Sequence, residues 1–118
     1  MVVEFYKLPD GTKPAGQFIK SIEDKKLKEK TIRSVKLLEE FGSLLDEPDS
    51  KYLGDGIYEL RAIHGSDITR CLYFFTYSNK AIVTNGIIKK TRKTPREVIK
   101  IAKKYREDYE RRIKDERY

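Results

Sequence analysis

Cysteine and histidine each occur once in this chain, tryptophan does not occur, and proline occurs only four times. The single Cys71 excludes a disulfide framework and any zinc site built from several cysteines, and the lone His64 excludes catalysis by two imidazoles of one chain. No run approaches the roughly 18 apolar residues of a membrane span, and the N-terminus has no signal-peptide pattern. We therefore expect a cytoplasmic protein with no metal or other cofactor and no association with membranes.

The length of 118 residues suits one domain, residues 1–118, and leaves no room for two separate cores. Hydrophobic residues make up 38% of the chain, which is a low fraction, and charged residues also make up 38%. Eight tyrosines and five phenylalanines are nevertheless enough to build a small core, and disordered chains lack such clusters. The composition thus indicates one small folded domain.

The positive charge is concentrated in the last quarter of the chain. Residues 1–88 carry 13 basic and 13 acidic side chains, whereas residues 89–118 carry 13 basic and 6 acidic ones, which accounts for the net charge of +7. A basic stripe on one element is the electrostatic footprint of a polyanionic partner. The alternative is a solvated helix that is simply rich in lysine and arginine.

The N-terminal part of the chain predicts a strand followed by two helices. Val2–Leu8 mixes β-branched and aromatic residues and is followed by a turn signal, as expected for a short strand. Thr12 is a candidate N-cap for a first helix, with Pro14 in its first turn. A second helix is predicted from about Lys28 to Phe41, where Gly42 can end it. The two helices together indicate a helical hairpin.

The pattern changes in the second half of the chain, where residues 43–56 are predicted to be a loop. Three strands follow, and their short connections imply an antiparallel meander whose middle strand is the most buried. Thr94–Glu97 has the form of a capping box and predicts the start of a C-terminal helix. The element order β-α-α-β-β-β-α predicts an α+β fold in a single domain, with strands at Ile57–Ile63, Ile68–Tyr77 and Ala81–Ile88.

Two arginines lie within strands that should otherwise be packed. Arg61 and Arg70 can share one surface of the sheet, where a desolvated charge is costly unless it is paired or directed at a ligand. Arg61 can also pair with Glu59, two residues away on the same face, and then needs no ligand. The sheet continues into a group of cations that can bind phosphates and lower the pKa of a lysine among them, namely Lys89, Lys90, Arg92 and Lys93.

Aromatic side chains alternate with these cations along the predicted strands. Tyr58, Tyr73, Phe75 and Tyr77 are suited to stacking on unpaired bases, as recognition of single-stranded RNA requires. Such rings are more often part of a core, and we expect at least two of the four to be packing residues. We treat Tyr58, Glu59, Tyr73 and Arg92 as candidate substrate-binding residues.

Three sequence strings in this order resemble the HigB-type toxins of the RelE/ParE superfamily, which include phage-derived host-inhibition proteins. They are LGDGIYELR (53–61), TRCLYFF (69–75) and NGIIKKTRKTP (85–95). The resemblance implies a RelE-like fold, in which a helical hairpin packs on a small curved antiparallel sheet. It also implies a toxin of a type II toxin–antitoxin system that cleaves messenger RNA on the ribosome. Its partner would be a HigA-like helix-turn-helix antitoxin, and operator DNA would be contacted only through that antitoxin.

The same resemblance assigns the functional positions of the family to Arg61, Arg70, Lys89, Lys90 and Lys93, as candidate catalytic residues. The sequence departs from the family at residues 84–87, where Thr-Asn-Gly-Ile replaces a Leu-His-Gly-Phe type string, so a histidine and an aromatic are missing. The C-terminal helix is also predicted to be long, which leaves open whether it covers part of the site.

Cleavage of RNA without metal requires attack by a 2′-hydroxyl group on the adjacent phosphate. The arginines suit the added negative charge, because a guanidinium grips phosphate oxygens with a planar fork. The candidates for the general base are a lysine of the basic loop (Lys89, Lys90 or Lys93) and Glu59. Two alternatives remain open at this point, a non-enzymatic inhibitor such as the gyrase-directed ParE toxins and a plain RNA-binding module.

Overall fold

A computed structural model describes residues 1–90 and 92–118, and residue 91, within the string NGIIKKTRKTP (85–95), lies outside the described residues. The described residues form an α+β fold with three α-helices and a five-stranded sheet. The elements in chain order are β1 (Val2–Phe5), α1 (Pro14–Ser21), α2 (Lys25–Phe41), a 3₁₀ turn (Gly42–Leu44), β2 (Ser50–Gly54), β3 (Ile57–His64), β4 (Asp67–Phe75), β5 (Lys80–Lys89) and α3 (Arg96–Lys114).

The sheet has the strand order β1-β5-β4-β3-β2, and β2 to β5 form an antiparallel meander. Two expectations about the sheet are wrong. β1 pairs with β5 in parallel, so the sheet is mixed, and β2 lies within the predicted loop 43–56. β2 is an edge strand with an exposed Lys51 and Tyr52, so it lacks the apolar pattern that marks an inner strand. β4 is the central strand and the most buried one, as predicted.

The helical hairpin α1–α2 packs on one face of the sheet, around a core that includes Ala15, Ile19 and Leu38. α2 begins earlier than predicted, because the Asp24 side chain accepts a hydrogen bond from the backbone N–H of Leu27 at 3.1 Å. It ends at the expected glycine, Gly42, whose φ of 55° favours a residue without a side chain. The predicted Thr12 cap is wrong, since Lys13 precedes α1 and makes no side-chain cap.

α3 packs on the opposite face of the sheet and completes a three-layer arrangement. Its apolar stripe buries Val98, Ala102 and Tyr109 against Ile57, Leu72, Phe74 and Ile82. Near the end of α3, Ile113 is half exposed, whereas its neighbour Arg112 is buried.

The buried arginine of α3 fastens the end of the helix to the chain after β1. Arg112 Nε donates to Asp108 Oδ2 at 2.9 Å, and its guanidinium lies 4.6 Å from the centre of the Tyr118 ring. Tyr6 donates to the same Asp108 oxygen at 2.5 Å. None of the helices formed by the described residues is both long enough and apolar enough to span a bilayer.

Candidate active site

A buried carboxylate, that of Glu59 in β3, organises the charged residues on the α3 face of the sheet. Its Oε2 atom accepts a hydrogen bond from Arg70 Nη1 at 3.0 Å and lies 3.3 Å from Arg61 Nε. Its Oε1 atom accepts a hydrogen bond from the hydroxyl group of Thr94. Both carboxylate oxygens are therefore engaged by side chains of three different segments.

The strand register explains why these groups meet. Arg61 of β3 lies directly opposite Arg70 of β4, and Glu59 lies two residues before Arg61 on the same face. Arg70 Nη1 also donates to Thr94 Oγ1 at 3.3 Å, which draws the segment before α3 onto the sheet. The side chains of Glu59 and Arg70 are each only 1% exposed. A buried charge is tolerated only when it is paired and hydrogen-bonded, and this arrangement meets that condition.

Arg61 differs from Arg70 in its access to solvent. Its side chain is 20% exposed, and its Nε atom faces Glu59. Within the described part of the chain, the terminal nitrogens of Arg61 make no hydrogen bond or ion pair. The carboxylate thus forms an ion pair with the Nε edge of the guanidinium, without a hydrogen bond, and the two terminal nitrogens are available to an anion.

The predicted basic cluster begins at the end of β5, two strands from Arg61. Lys89, Lys90, Arg92 and Lys93 are all exposed, as expected for groups that meet a ligand. Lys89 is paired with Ile68, and so it lies on the same face of the sheet as Arg70. Thr94 comes directly after the cluster and is bonded to Glu59, which ties the end of the basic loop to the arginine pair.

The predicted tyrosines lie on the other face of the sheet. Tyr58 is paired with Tyr73 in the β3–β4 register, and both pack with the helical hairpin. Tyr73 is 1% exposed and its hydroxyl lies 2.5 Å from Ser50 Oγ, while burial raises the pKa of its phenol. The expectation that at least two of the four rings are packing residues is confirmed, since Tyr73 is buried and Tyr58 is half-buried against the same core. Neither of these two rings lies on the face of the sheet that carries Arg61 and Arg70. The alternation of side chains along a strand could have indicated this, because Tyr58 and Arg61 differ in parity.

Two further placements need correction. Glu59 was expected to contact the substrate and Arg70 to face it, yet both side chains are buried beneath the surface and bonded to each other. Thr94 was expected to cap α3, but Pro95 occupies the cap position without a side-chain bond, and the Thr94 hydroxyl reaches Glu59 instead. Nothing in the sequence distinguishes the two uses of this hydroxyl.

Other reactive side chains lie away from this cluster. Burial raises the pKa of the Cys71 thiol to about 12, so the sulfur is protonated near neutral pH. His64 ends β3 and lies opposite Asp67, the first residue of β4. The described residues contain no group of three or more His, Cys, Asp or Glu side chains placed to hold a metal ion.

A comparison with known protein families identifies the family to which the chain belongs. The family described as "Phage derived protein Gp49-like (DUF891)" matches residues 17–107, more than three quarters of the chain. The chain belongs to this family. The Gp49-like family is RelE/ParE-like and is associated with toxin–antitoxin systems. The match extends from α1 into α3 and contains Glu59, Arg61, Arg70 and Thr94. None of the curated proteins compared with the chain matches it.

Proposed function

We propose that this Gp49-like protein is a HigB-like toxin with a RelE-like fold that cleaves messenger RNA on the ribosome without metal. In this proposal it arrests translation in the cytoplasm and is neutralised by a HigA-like helix-turn-helix antitoxin. The family assignment supports a toxin of this broad kind. The order of a helical hairpin, an antiparallel meander and a C-terminal helix supports the RelE-like fold.

One observation carries the catalytic part of the proposal. Arg61 leaves its terminal nitrogens accessible while its Nε atom lies 3.3 Å from Glu59 Oε2, and the exposed Lys89 ends β5, two strands away on the same face of the sheet. A guanidinium paired in this way can donate hydrogen bonds to two oxygens of a phosphate with little reorganisation at the moment of reaction. Preorganised donors of this type are the largest single contribution in many reactions that develop negative charge.

The reaction that fits this site is attack of a ribose 2′-oxygen on the adjacent phosphorus. The new bond forms between the 2′-oxygen and phosphorus, and the bond from phosphorus to the 5′-oxygen breaks. The 2′-proton passes to a base and the leaving 5′-oxygen takes up a proton, so that a 2′,3′-cyclic phosphate and a 5′-hydroxyl result. Arg61 stabilises the charge that is added to the phosphoryl oxygens.

The lysines of the basic loop are the proposed proton-transfer and phosphate-binding groups. Lys89, Lys90 and Lys93 are exposed, whereas Glu59 is buried with both oxygens bonded to neighbouring side chains. A base must come within hydrogen-bond reach of the proton that it removes. Glu59 does not meet this condition, so we assign it and Arg70 to positioning Arg61.

Short induction of the protein in growing cells tests the proposal. We expect growth arrest that a cognate antitoxin relieves, and new transcript ends within translated regions of messenger RNA. An Arg33→Ala variant, which removes an exposed arginine of α2, serves as a matched control and should act like the wild type. Normal growth with folded protein present would contradict the toxin assignment. Arrest with intact transcripts and broken or relaxed DNA would instead support a gyrase-directed inhibitor.

A further inference from the structure

Two isoleucines lie opposite each other near the turn that joins β3 to β4. Ile63 of β3 is paired with Ile68 of β4, so their side chains share one face of the sheet. This face is the one that carries Arg61, because Ile63 follows Arg61 by two residues along the strand. Ile63 is 52% exposed, and neither isoleucine is part of the two core clusters of the described residues. An apolar surface is therefore left open directly beside Arg61.

Helix α3 covers another part of this face and leaves the isoleucine pair open. The helix packs against Ile57 at the beginning of β3 and against Leu72 of β4. Thr94, just before the helix, is bonded to Glu59, which lies between Ile57 and Ile63 along β3. The helix thus lies toward the Ile57 end of the strand, and the Ile63 end of the same face is exposed.

Cations flank the isoleucine pair on this face of the sheet. Lys89 of β5 lies directly opposite Ile68, and Arg61 comes two residues before the other isoleucine. Lys51 of the edge strand β2 lies opposite Glu59, so it shares the same face. Lys51 and Lys89 are exposed, and in the described part of the chain neither of them forms a salt bridge. An apolar surface between cations fits a ligand that combines flat rings with phosphates.

We propose that Ile63 and Ile68 form a platform for a nucleobase of the RNA strand whose phosphate binds Arg61, and this proposal rests on the function proposed above. Arg61 and Ile63 are two residues apart, roughly 7 Å along a strand, which is comparable to the distance from a phosphate to the base of the same nucleotide. The flat face of a base can pack on apolar side chains, while neighbouring cations bind the phosphates. Tyr58 and Tyr73, the expected stacking residues, lie on the other face of the sheet and leave this role open.

Binding of two labelled strands of equal charge to the full chain tests this proposal. Both strands carry a 2′-O-methyl group on every ribose, which removes the nucleophile and prevents cleavage. One strand has bases, whereas the other has the same sugars and phosphates without bases. Fluorescence anisotropy at low salt should show that the wild type binds the strand with bases at least about fivefold more tightly, because only this strand can stack.

Variants of the chain locate the contact with the base. Ile63→Ser should reduce the preference for bases to less than about twofold and leave the affinity for the strand without bases unchanged. Ile63→Phe enlarges the apolar surface and should keep or increase the preference, so the test does not depend on the serine variant alone. Ile101→Ser changes an isoleucine of α3 that is 42% exposed and should bind both strands like the wild type. Arg61→Ala should weaken both strands equally, because it removes a contact to phosphate.

Cleavage on the ribosome separates this proposal from the proposed nuclease activity. Ile63→Ser should raise the KM for messenger RNA at least about fivefold and keep kcat within about twofold of the wild type, whereas Arg61→Ala should lower kcat. If Ile63→Ser and the wild type cleave with the same KM, the platform is wrong and the nuclease proposal stands. If the wild type does not cleave but prefers the strand with bases, the nuclease proposal is wrong and the platform stands as an RNA-binding site.

Two further results would overturn the proposal. Equal binding of the strands with and without bases by the wild type, or an equal loss of preference in Ile101→Ser, would show that the isoleucine pair contacts no base. A change of oligomeric state in Ile63→Ser, measured by light scattering, would identify a second copy of the chain as the molecule that covers the pair.

Discussion

Arg61 and Arg70 lie directly opposite each other in neighbouring strands and share one carboxylate, that of Glu59. Like charges that face each other across a sheet repel, and the buried anion between them offsets this repulsion. The two arginines differ in exposure, since the side chain of Arg61 is 20% exposed and that of Arg70 is 1% exposed. This difference separates a group that can reach a ligand from a group that supports it.

Arg70→Ala should destabilise the protein strongly, because it leaves the buried carboxylate of Glu59 without its shortest ion pair. Removing one partner of a buried pair typically costs about 3–5 kcal/mol in the free energy of unfolding. The double variant Arg70→Met, Glu59→Leu removes both charges and should recover a large part of that loss. Urea unfolding measures both values, and a double variant no more stable than Arg70→Ala would contradict the pairing.

Thr94→Val should loosen the attachment of the basic loop to the sheet. The hydroxyl donates to Glu59 and accepts from Arg70, and a hydrogen bond to a charged group contributes about 1.5–3 kcal/mol. Thr94→Ser keeps the hydroxyl and should retain most of the stability. We expect the valine variant to lower both the unfolding free energy and the rate of RNA cleavage. Equal behaviour of the valine and serine variants would show that this hydroxyl has no such role.

The salt dependence of RNA binding should reveal whether the basic loop contacts phosphates. Each contact to a single strand contributes roughly −0.7 to the slope of log K against log salt concentration. Replacing Lys90 and Lys93 by glutamine should flatten this slope by roughly 1.4 if both make such contacts. The same change at Lys100 and Lys104, which are exposed on α3, should have a smaller effect. If both the salt slope and the cleavage rate are unchanged, the basic loop does not contact phosphates and is only a solvated connection between β5 and α3.

Tyr6→Phe should change the stability of the protein at alkaline pH. Burial, together with its hydrogen bond to Asp108, raises the pKa of Tyr6 from 10.0 to about 12. Because the pKa of Tyr6 is higher in the folded than in the unfolded state, Tyr6 contributes to the free energy of unfolding fully below pH 10. This contribution is lost as the pH rises toward 12. Phenylalanine has no ionisable group, so the stability of the Tyr6→Phe variant lacks this pH-dependent contribution.

The difference in unfolding free energy between the wild type and Tyr6→Phe should therefore narrow from pH 8 to pH 11. Tyr77→Phe, in an exposed turn, should show no such trend. A constant difference between the wild type and Tyr6→Phe across this range would contradict the role of the Tyr6 hydroxyl.

Local sequence patterns predicted most helices and strands, whereas the arrangement of the candidate site depends on contacts between residues that are distant in the sequence. The apolar period located α2, α3 and the three central strands, because those segments bury a continuous face. β2 was missed because an edge strand with Lys51 and Tyr52 exposed needs no apolar alternation. The partner of Thr94 could not be predicted, since Glu59 is 35 residues away and only the folded register brings them together. The exposed fork of Arg61 likewise depends on how Arg70 and Glu59 are packed.

The chemistry of the RNA ends tests the central claim most directly. Purified protein should cleave a defined messenger RNA on ribosomes to give 5′-hydroxyl ends and 2′,3′-cyclic phosphates, because the 2′-oxygen is the nucleophile. Arg61→Ala should lower the cleavage rate by about 100- to 1,000-fold with a melting temperature close to that of the wild type. Ends that carry a 5′-phosphate, or full activity in folded Arg61→Ala, would contradict the account.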